Sequence, residues 1–182
     1  ALPDTQLVNE LVTHTLKSPA PTPSIETVLH ACMPHKYVDH THADAVLSIT
    51  NSAGAESRMR EIYGDTVVII PYVMPGFALA RLCAKEYPRQ AGANTIGMVL
   101  MNHGVFAFAE TARQAYEHMI ELVNRAEDYL RRCKAWYIPA RRPGPARIGM
   151  LQQAQLRRNL SAAAGAPMIL AVSPGASAGT VL

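Results

Sequence analysis

Short apolar segments rich in β-branched residues alternate with longer amphipathic segments through the middle of the 182-residue chain. Strand patterns occur at 37–42, 66–70, 96–101 and 105–108. Between most of these strands lie segments whose apolar residues recur at helical spacing. The alternation is typical of an α/β domain. Strand direction stays open, because some connections are too short for parallel crossovers.

The predicted helices have recognisable ends. Thr111 and Gln114 form a capping-box pattern before a helix that continues to about Leu130. Ser24 is the expected N-cap of a short helix ending near Met33, and Pro88 is expected to stop the helix that starts at Phe77. The other predicted elements are helices over 4–17, 44–51, 55–63 and 148–164, and a last strand over 167–172.

The composition excludes several classes of protein. Apolar residues make up 49% of the chain and charged residues only 17%, which is a globular and not a disordered composition. The net charge of +3 is small and scattered, so we expect no nucleic-acid partner. No apolar run approaches the roughly 20 residues of a membrane span, so we expect no membrane partner. Three widely separated cysteines suit a reducing cytoplasm.

The most specific chemical feature is the sequence His40-Thr41-His42 at the end of a predicted strand. Residues two apart on a strand point to the same face, so the two imidazoles are expected side by side. A divalent metal such as zinc would bind such a pair well. The alternative is a pair of surface or capping histidines.

Two more residues are candidates for the same site. His103 lies at a corner between two apolar strands, where it is either a ligand at the rim of the sheet or a turn histidine bonded to its own backbone. Glu26 lies in the first turn of the predicted short helix. Its carboxylate is either a general base near a metal or a charge favoured by the helix dipole.

Taken together, four motifs resemble the class II aldolase/adducin family. They are the segment Pro23–Glu26, the pair His40 and His42, Pro71-Tyr72, and the segment 102–106, which reads Asn-His-Gly-Val-Phe. The resemblance runs from about residue 20 to residue 130. It is strongest to the aldolase part of bifunctional rhamnulose-phosphate aldolase/short-chain dehydrogenase proteins.

This resemblance implies a three-layer α/β/α sandwich around a mixed, largely antiparallel sheet. It implies that His40, His42 and His103 bind zinc, or another divalent transition metal, and that Glu26 is the catalytic carboxylate. Ser24 matches a residue that binds the substrate phosphate, and Tyr72 is the candidate for a catalytic tyrosine. Position 25 is Ile where fuculose-phosphate aldolase has a second serine, and the family's glycine- and asparagine-bearing phosphate loop has no counterpart here.

The implied activity is cleavage of a ketose 1-phosphate, such as rhamnulose 1-phosphate, to dihydroxyacetone phosphate and lactaldehyde through a metal-stabilised enediolate. The alternatives are another lyase, epimerase or dehydratase on the same metal site, or a non-catalytic adducin-like module. Adducin-type members lose the histidines that this chain keeps. The resemblance also implies a homo-oligomer, expected to be a tetramer.

The expected domain organisation follows from the same resemblance. Residues 1–138 are predicted to form the aldolase core without its N-terminal part, followed by a Pro- and Arg-rich linker at 139–147. Residues 148–182 are predicted to form a helix and a strand leading toward a dehydrogenase domain beyond the sequence given.

Overall fold

The computed structural model describes residues 3–137 and 149–170. The chain divides into two compact units, Ala1–Tyr137 and Ile138–Leu182, and each is described by itself. The predicted linker at 139–147 lies outside the described residues. Among the described residues, no helix has both the length and the apolar character needed to cross a bilayer.

The first unit contains six helices and four strands among its described residues. The helices are α1 (Asp4–Thr13), α2 (Thr27–Ala31), α3 (Asp44–Thr50), α4 (Ala55–Tyr63), α5 (Phe77–Gln90) and α6 (Ala112–Arg132). The strands are β1 (Tyr37–Thr41), β2 (Val67–Ile70), β3 (Gly97–Leu100) and β4 (Gly104–Ala109).

The four strands form one mixed sheet in the order β1-β4-β3-β2. β4 pairs antiparallel with both of its neighbours, whereas β2 and β3 pair in parallel. The predicted mixed, largely antiparallel sheet is therefore confirmed. β3 and β4 are joined by a tight turn, which is possible only because they are antiparallel.

Helices cover both faces of this sheet. One face packs against α3, α4 and α6 through side chains such as Val99 and Val105. The other packs against α2 and α5 through Met98 and Phe106. Because successive strand residues point to opposite faces, two covered faces require an apolar residue at almost every position. All residues of β2, β3 and β4 are buried, and the three-layer prediction is confirmed.

Three predicted helix boundaries are wrong. α1 ends at Thr13 and does not continue to residue 17. At this end, the hydroxyl of Thr13 and the ring of His14 contact the last carbonyl groups of the helix. Pro88 lies inside α5, which continues to Gln90. The helix tolerates it because a proline in the last turn removes only a single backbone hydrogen bond. α2 is shorter than predicted, with Glu26 at its N-cap.

In the second unit, α7 (Met150–Ala164) ends at Gly165, which has the left-handed φ of 66° common after helices. The strand predicted over 167–172 is absent from residues 167–170, and the remaining two positions lie outside the described residues. The Met168 N–H instead donates to the Ser161 hydroxyl, and the Met168 carbonyl accepts from Arg157. These bonds to side chains take the place of a β-ladder for this backbone.

Candidate metal centre

The pairing of β1 with β4 brings two distant sequence motifs together. His40 lies opposite Phe106 and Thr41 lies opposite Val105, so the end of β1 is beside the start of β4. His103 lies in the turn immediately before β4. The antiparallel register therefore places His40, His42 and His103 at one edge of the sheet, although about 60 residues separate the two motifs.

Four side chains converge at this edge. Ligand atoms of Glu26, His40, His42 and His103 all lie within 4.8 Å of one another. The Glu26 Oε1 atom is 2.6 Å from His103 Nε2, and Oε2 is 3.7 Å from His40 Nε2. The Nε2 atoms of His40 and His42 are 3.0 Å apart. The three predicted metal ligands and the predicted catalytic carboxylate are thus close enough to surround one cation.

The ring of His40 is fixed on two sides. Its Nδ1–H donates to the carbonyl of Val105 at 3.1 Å. In the neutral ring Nε2 is then unprotonated, and its lone pair faces the cluster. The ring stacks on Phe106 with a centroid distance of 4.0 Å and an interplanar angle of 14°. Burial lowers the pKa of His40 to about 4, and the neighbouring His42 and His103 also lower it, against the raising effects of the Val105 hydrogen bond and Glu26. His40 is therefore neutral near pH 7.

His103 is held by the turn between β3 and β4. The preceding residue, Asn102, has a left-handed φ of 59°, and its side-chain amide donates to the Thr50 carbonyl and the Asn51 side-chain oxygen at the end of α3. These contacts fix the turn against the neighbouring helix. Sequence reasoning gave Asn102 no role of its own, although asparagine is one of the few residues that adopt this conformation readily.

The donor set fits a divalent cation. Three imidazoles and one carboxylate are ordinary ligands for zinc and related metals. His103 is 7% exposed at its side chain, and its Nδ1 atom is buried without a hydrogen-bond partner among the described residues. An unpartnered buried nitrogen is costly in a purely structural cluster.

Ser24 lies two residues before Glu26 in the chain. Its hydroxyl oxygen accepts a hydrogen bond from the Glu26 N–H at 3.1 Å. The bond forms a turn that leads into α2, so Ser24 precedes the N-cap and does not occupy it as predicted. The hydroxyl proton of Ser24 remains available as a donor.

Tyr72 lies in the loop between β2 and α5 and is 52% exposed. Its hydroxyl contacts the sulfur of Met74 at 3.8 Å. Among the described residues, it makes no hydrogen bond to Glu26 or to the three histidines. The structure therefore brings Glu26 together with the three predicted metal ligands, and among the described residues Tyr72 forms no hydrogen bond with any of these four.

His30 is a further histidine beside the cluster. It lies one turn after Glu26 on α2, and its ring centroid is 5.1 Å from that of Phe106 and 6.2 Å from that of His40. The structure places it against the same aromatic ring that supports His40.

Comparison with known proteins gives a consistent family assignment. The family model described as "Class II Aldolase and Adducin N-terminal domain" matches residues 4–130. The chain is also 36% identical over 129 residues to the Bacillus subtilis (strain 168) protein named "Uncharacterized oxidoreductase YuxG". That alignment covers 71% of this chain and 18% of the relative, so the chain spans less than a fifth of that protein's length.

Solved structures show the same fold. The N-terminal class II aldolase domain of a conserved Thermoplasma acidophilum protein matches with a TM-score of 0.64 and 38% identity, over 71% of this chain and 59% of that one. A sugar-phosphate aldolase from Thermotoga maritima matches with a TM-score of 0.51 and 19% identity, over 66% of this chain and 58% of that one. The family match includes all four residues of the cluster and well over half of the sequence, so the chain belongs to the class II aldolase and adducin N-terminal domain family.

Proposed function

We propose that this chain is the catalytic domain of a metal-dependent aldehyde-lyase that cleaves a ketose 1-phosphate such as rhamnulose 1-phosphate. The products would be dihydroxyacetone phosphate and lactaldehyde. The observation that carries the proposal is the convergence of one carboxylate and three imidazoles within 4.8 Å. Membership in a family of class II aldolases supports a lyase reaction at this cluster.

In this proposal His40, His42 and His103 hold a divalent cation, with zinc as the first candidate. When bound, such a cation supplies Lewis-acid stabilisation of the negative charge that develops on substrate oxygens during carbon–carbon cleavage. The neutral state of His40 near pH 7 supports this role, because only a deprotonated imidazole nitrogen can act as a ligand. The hydrogen bond from its Nδ1 to Val105 supports Nε2 as the ligand atom.

Glu26 is the proposed general base. Its carboxylate is 21% exposed at the side chain, so a small substrate can reach it, and it lies beside the histidines that would bind the cation. We propose that it moves a proton on and off the carbon that carries negative charge after the carbon–carbon bond breaks. Tyr72 is the second candidate for proton transfer, and a fall in activity on Tyr72→Phe would support it.

Ser24 is the proposed phosphate contact. Its hydroxyl accepts the Glu26 N–H and still has a proton to donate to a phosphate oxygen. Because the same residue shapes the turn that carries Glu26, binding of the phosphate and placement of the base would be linked. Ser24→Ala is expected to raise KM for a phosphorylated substrate.

We also propose that the full-length protein carries a dehydrogenase domain after this one. The name of the Bacillus subtilis relative and its much greater length support such a fusion. Residues 1–138 would then be the aldolase core and residues 148–182 the start of the connection. A homotetramer and a cytoplasmic location complete the proposal, the latter supported by the free thiols of Cys32, Cys83 and Cys133.

The decisive experiment is a cleavage assay on metal-free and metal-loaded protein. Ketose 1-phosphates are incubated with each form, and aldehyde and dihydroxyacetone phosphate are measured. We expect cleavage only in the loaded form, about one metal ion per chain, and loss of both activity and metal in His42→Ala. Equal cleavage by the metal-free form, or full metal content in His42→Ala, would contradict the proposal. Conversion of the substrate to an isomeric sugar would assign an epimerase.

A further inference from the structure

We propose that Gly104 is a positioning residue for the metal site, because its missing side chain lets His40 and His42 approach β4. This inference rests on the metal site proposed above. It assigns a function to the residue that follows His103, which is itself a proposed ligand. The carbonyl of Val105 and the ring of Phe106 complete the surface against which His40 lies.

The space beside Gly104 is filled by the histidine pair and its strand. A Cβ atom on Gly104 would lie 2.6 Å from the Thr41 carbonyl oxygen, 2.9 Å from His42 Cδ2 and 3.0 Å from His40 Cε1. The first two distances are shorter than those of real Cβ contacts, and the third is tighter than most of them. Two of the three are with the imidazoles themselves, and the third is with the backbone that joins them.

Glycine is required at position 104 for lack of space and not for its backbone conformation. The φ angle of Gly104 is not positive, so its backbone does not itself favour glycine. Gly104 is the first residue of β4 and lies beside the end of β1, so a side chain there would force the two strands or the two imidazoles to shift. Such a movement would strain the 3.1 Å hydrogen bond between His40 and Val105 and change the 3.0 Å spacing of the two Nε2 atoms.

Gly97 provides a matched control. A Cβ atom on this residue would clash as severely, with the Phe106 carbonyl oxygen and with Leu122 Cδ1, but it would touch none of the three histidines. Gly97→Ala should therefore destabilise the fold as Gly104→Ala does. A purely structural function for Gly104 predicts that the two variants behave alike toward metal.

The test is a titration of the full chain with Co²⁺ alone, followed by visible absorption, with thermal unfolding of each metal-free variant measured in parallel. We expect Gly104→Ala to bind Co²⁺ at least about 10-fold more weakly than the wild type, with a changed ligand-field spectrum. Gly97→Ala should lose clearly less Co²⁺ affinity than Gly104→Ala despite a lower unfolding temperature, because its clash reaches His40 only through the backbone of Phe106. If the folded Gly104→Ala protein shows the wild-type affinity and spectrum, the inference is wrong.

Phe106→Leu tests the same surface if Gly104→Ala does not fold. It removes the ring that stacks on His40 and keeps an apolar side chain in the core. We expect weaker Co²⁺ binding and a changed spectrum, and wild-type behaviour would overturn the inference. A wild-type protein that binds no Co²⁺ would instead overturn the proposed metal site, so the two failures are distinguishable.

Discussion

At the scale of single residues, neighbours outside the cluster determine how His40 and His103 are placed. The Val105 carbonyl sets the tautomer of His40, and Asn102 fixes the turn that carries His103. These neighbours contribute no ligand atom to the cluster, but they determine where the ligand atoms lie. A substitution of such a neighbour would move the ligand atoms and so affect metal binding and catalysis together. A substitution of one cluster residue can affect one of the two functions alone.

Glu26→Gln should separate the two functions. The amide keeps the size of the side chain but is a poor base, so we expect proton exchange on the enediolate carbon to fall by about 100-fold or more. The three histidines remain, so metal content should stay near that of the wild type. Solvent deuterium exchange into dihydroxyacetone phosphate and a metal assay measure these effects. Retained exchange would assign the base to another residue.

The metal-free protein should lose stability in mild acid because of His40. Its pKa is lowered to about 4 in the fold and is near 6.5 in the unfolded chain, so the unfolded state binds more protons between these values. The free energy of unfolding should therefore fall as the pH falls from about 6.5 to about 4. Urea denaturation at several pH values measures the slope.

His40→Asn is the matched test of this slope, and His14→Gln is its control. The side chain of His14 is 76% exposed at the end of α1. We expect the acid-dependent loss to become smaller in His40→Asn and to remain in His14→Gln. An unchanged slope in His40→Asn would show that other groups cause the acid sensitivity.

At the scale of elements, polar side chains connect the helices on one face of the sheet. The hydroxyl of Tyr63 at the end of α4 donates to the carbonyl of Leu122 on α6 at 2.8 Å. Arg125 on α6 donates to the hydroxyl of Thr66 and the carbonyl of Ile62. Arg125 also contacts the carboxylate of Glu121, one turn earlier on the same helix, at 3.6 Å.

Tyr63→Phe should lower the free energy of unfolding by about 1 kcal/mol. It removes a buried hydrogen bond between two helices and leaves the Leu122 carbonyl without that donor. Tyr116→Phe is the control, because Tyr116 lies on α6 and is 61% exposed. Chemical denaturation of both variants gives the difference. Equal stability of the two would mean that the bond adds nothing beyond the packing of the ring.

At the scale of the whole molecule, the cluster connects three separate parts of the chain. Glu26 is at the start of α2, His40 and His42 are at the end of β1, and His103 is in the turn before β4. A cation bound by all of them would link these parts only in the folded state. Binding would therefore stabilise the fold as a whole.

Zinc should raise the free energy of unfolding of the metal-free protein. A free zinc concentration 100 times the dissociation constant should add about 2.7 kcal/mol, if the unfolded chain binds none. Thermal unfolding with and without zinc measures the effect, and a chelator should reverse it. The increase should be absent in His42→Ala. No change in the wild type would contradict the metal site.

The sequence by itself determined the elements and the candidate residues. Period-two and helical patterns are local, so they predicted the α/β class, the cap at Thr111 and the close approach of His40 to His42. Helix ends were less predictable. The hydroxyl of Thr13 bonds to a carbonyl at the end of α1, and α5 continues past Pro88.

Only the tertiary structure decided how the distant parts meet. The parallel pairing of β2 with β3, the register of β1 on β4 and the arrival of Glu26 beside His103 depend on which surfaces are buried together, and no local pattern encodes this. The same holds for Gly104, whose missing Cβ matters only because β1 lies against it. Local chemistry thus predicted the ligands, and long-range packing placed their atoms within reach of one another.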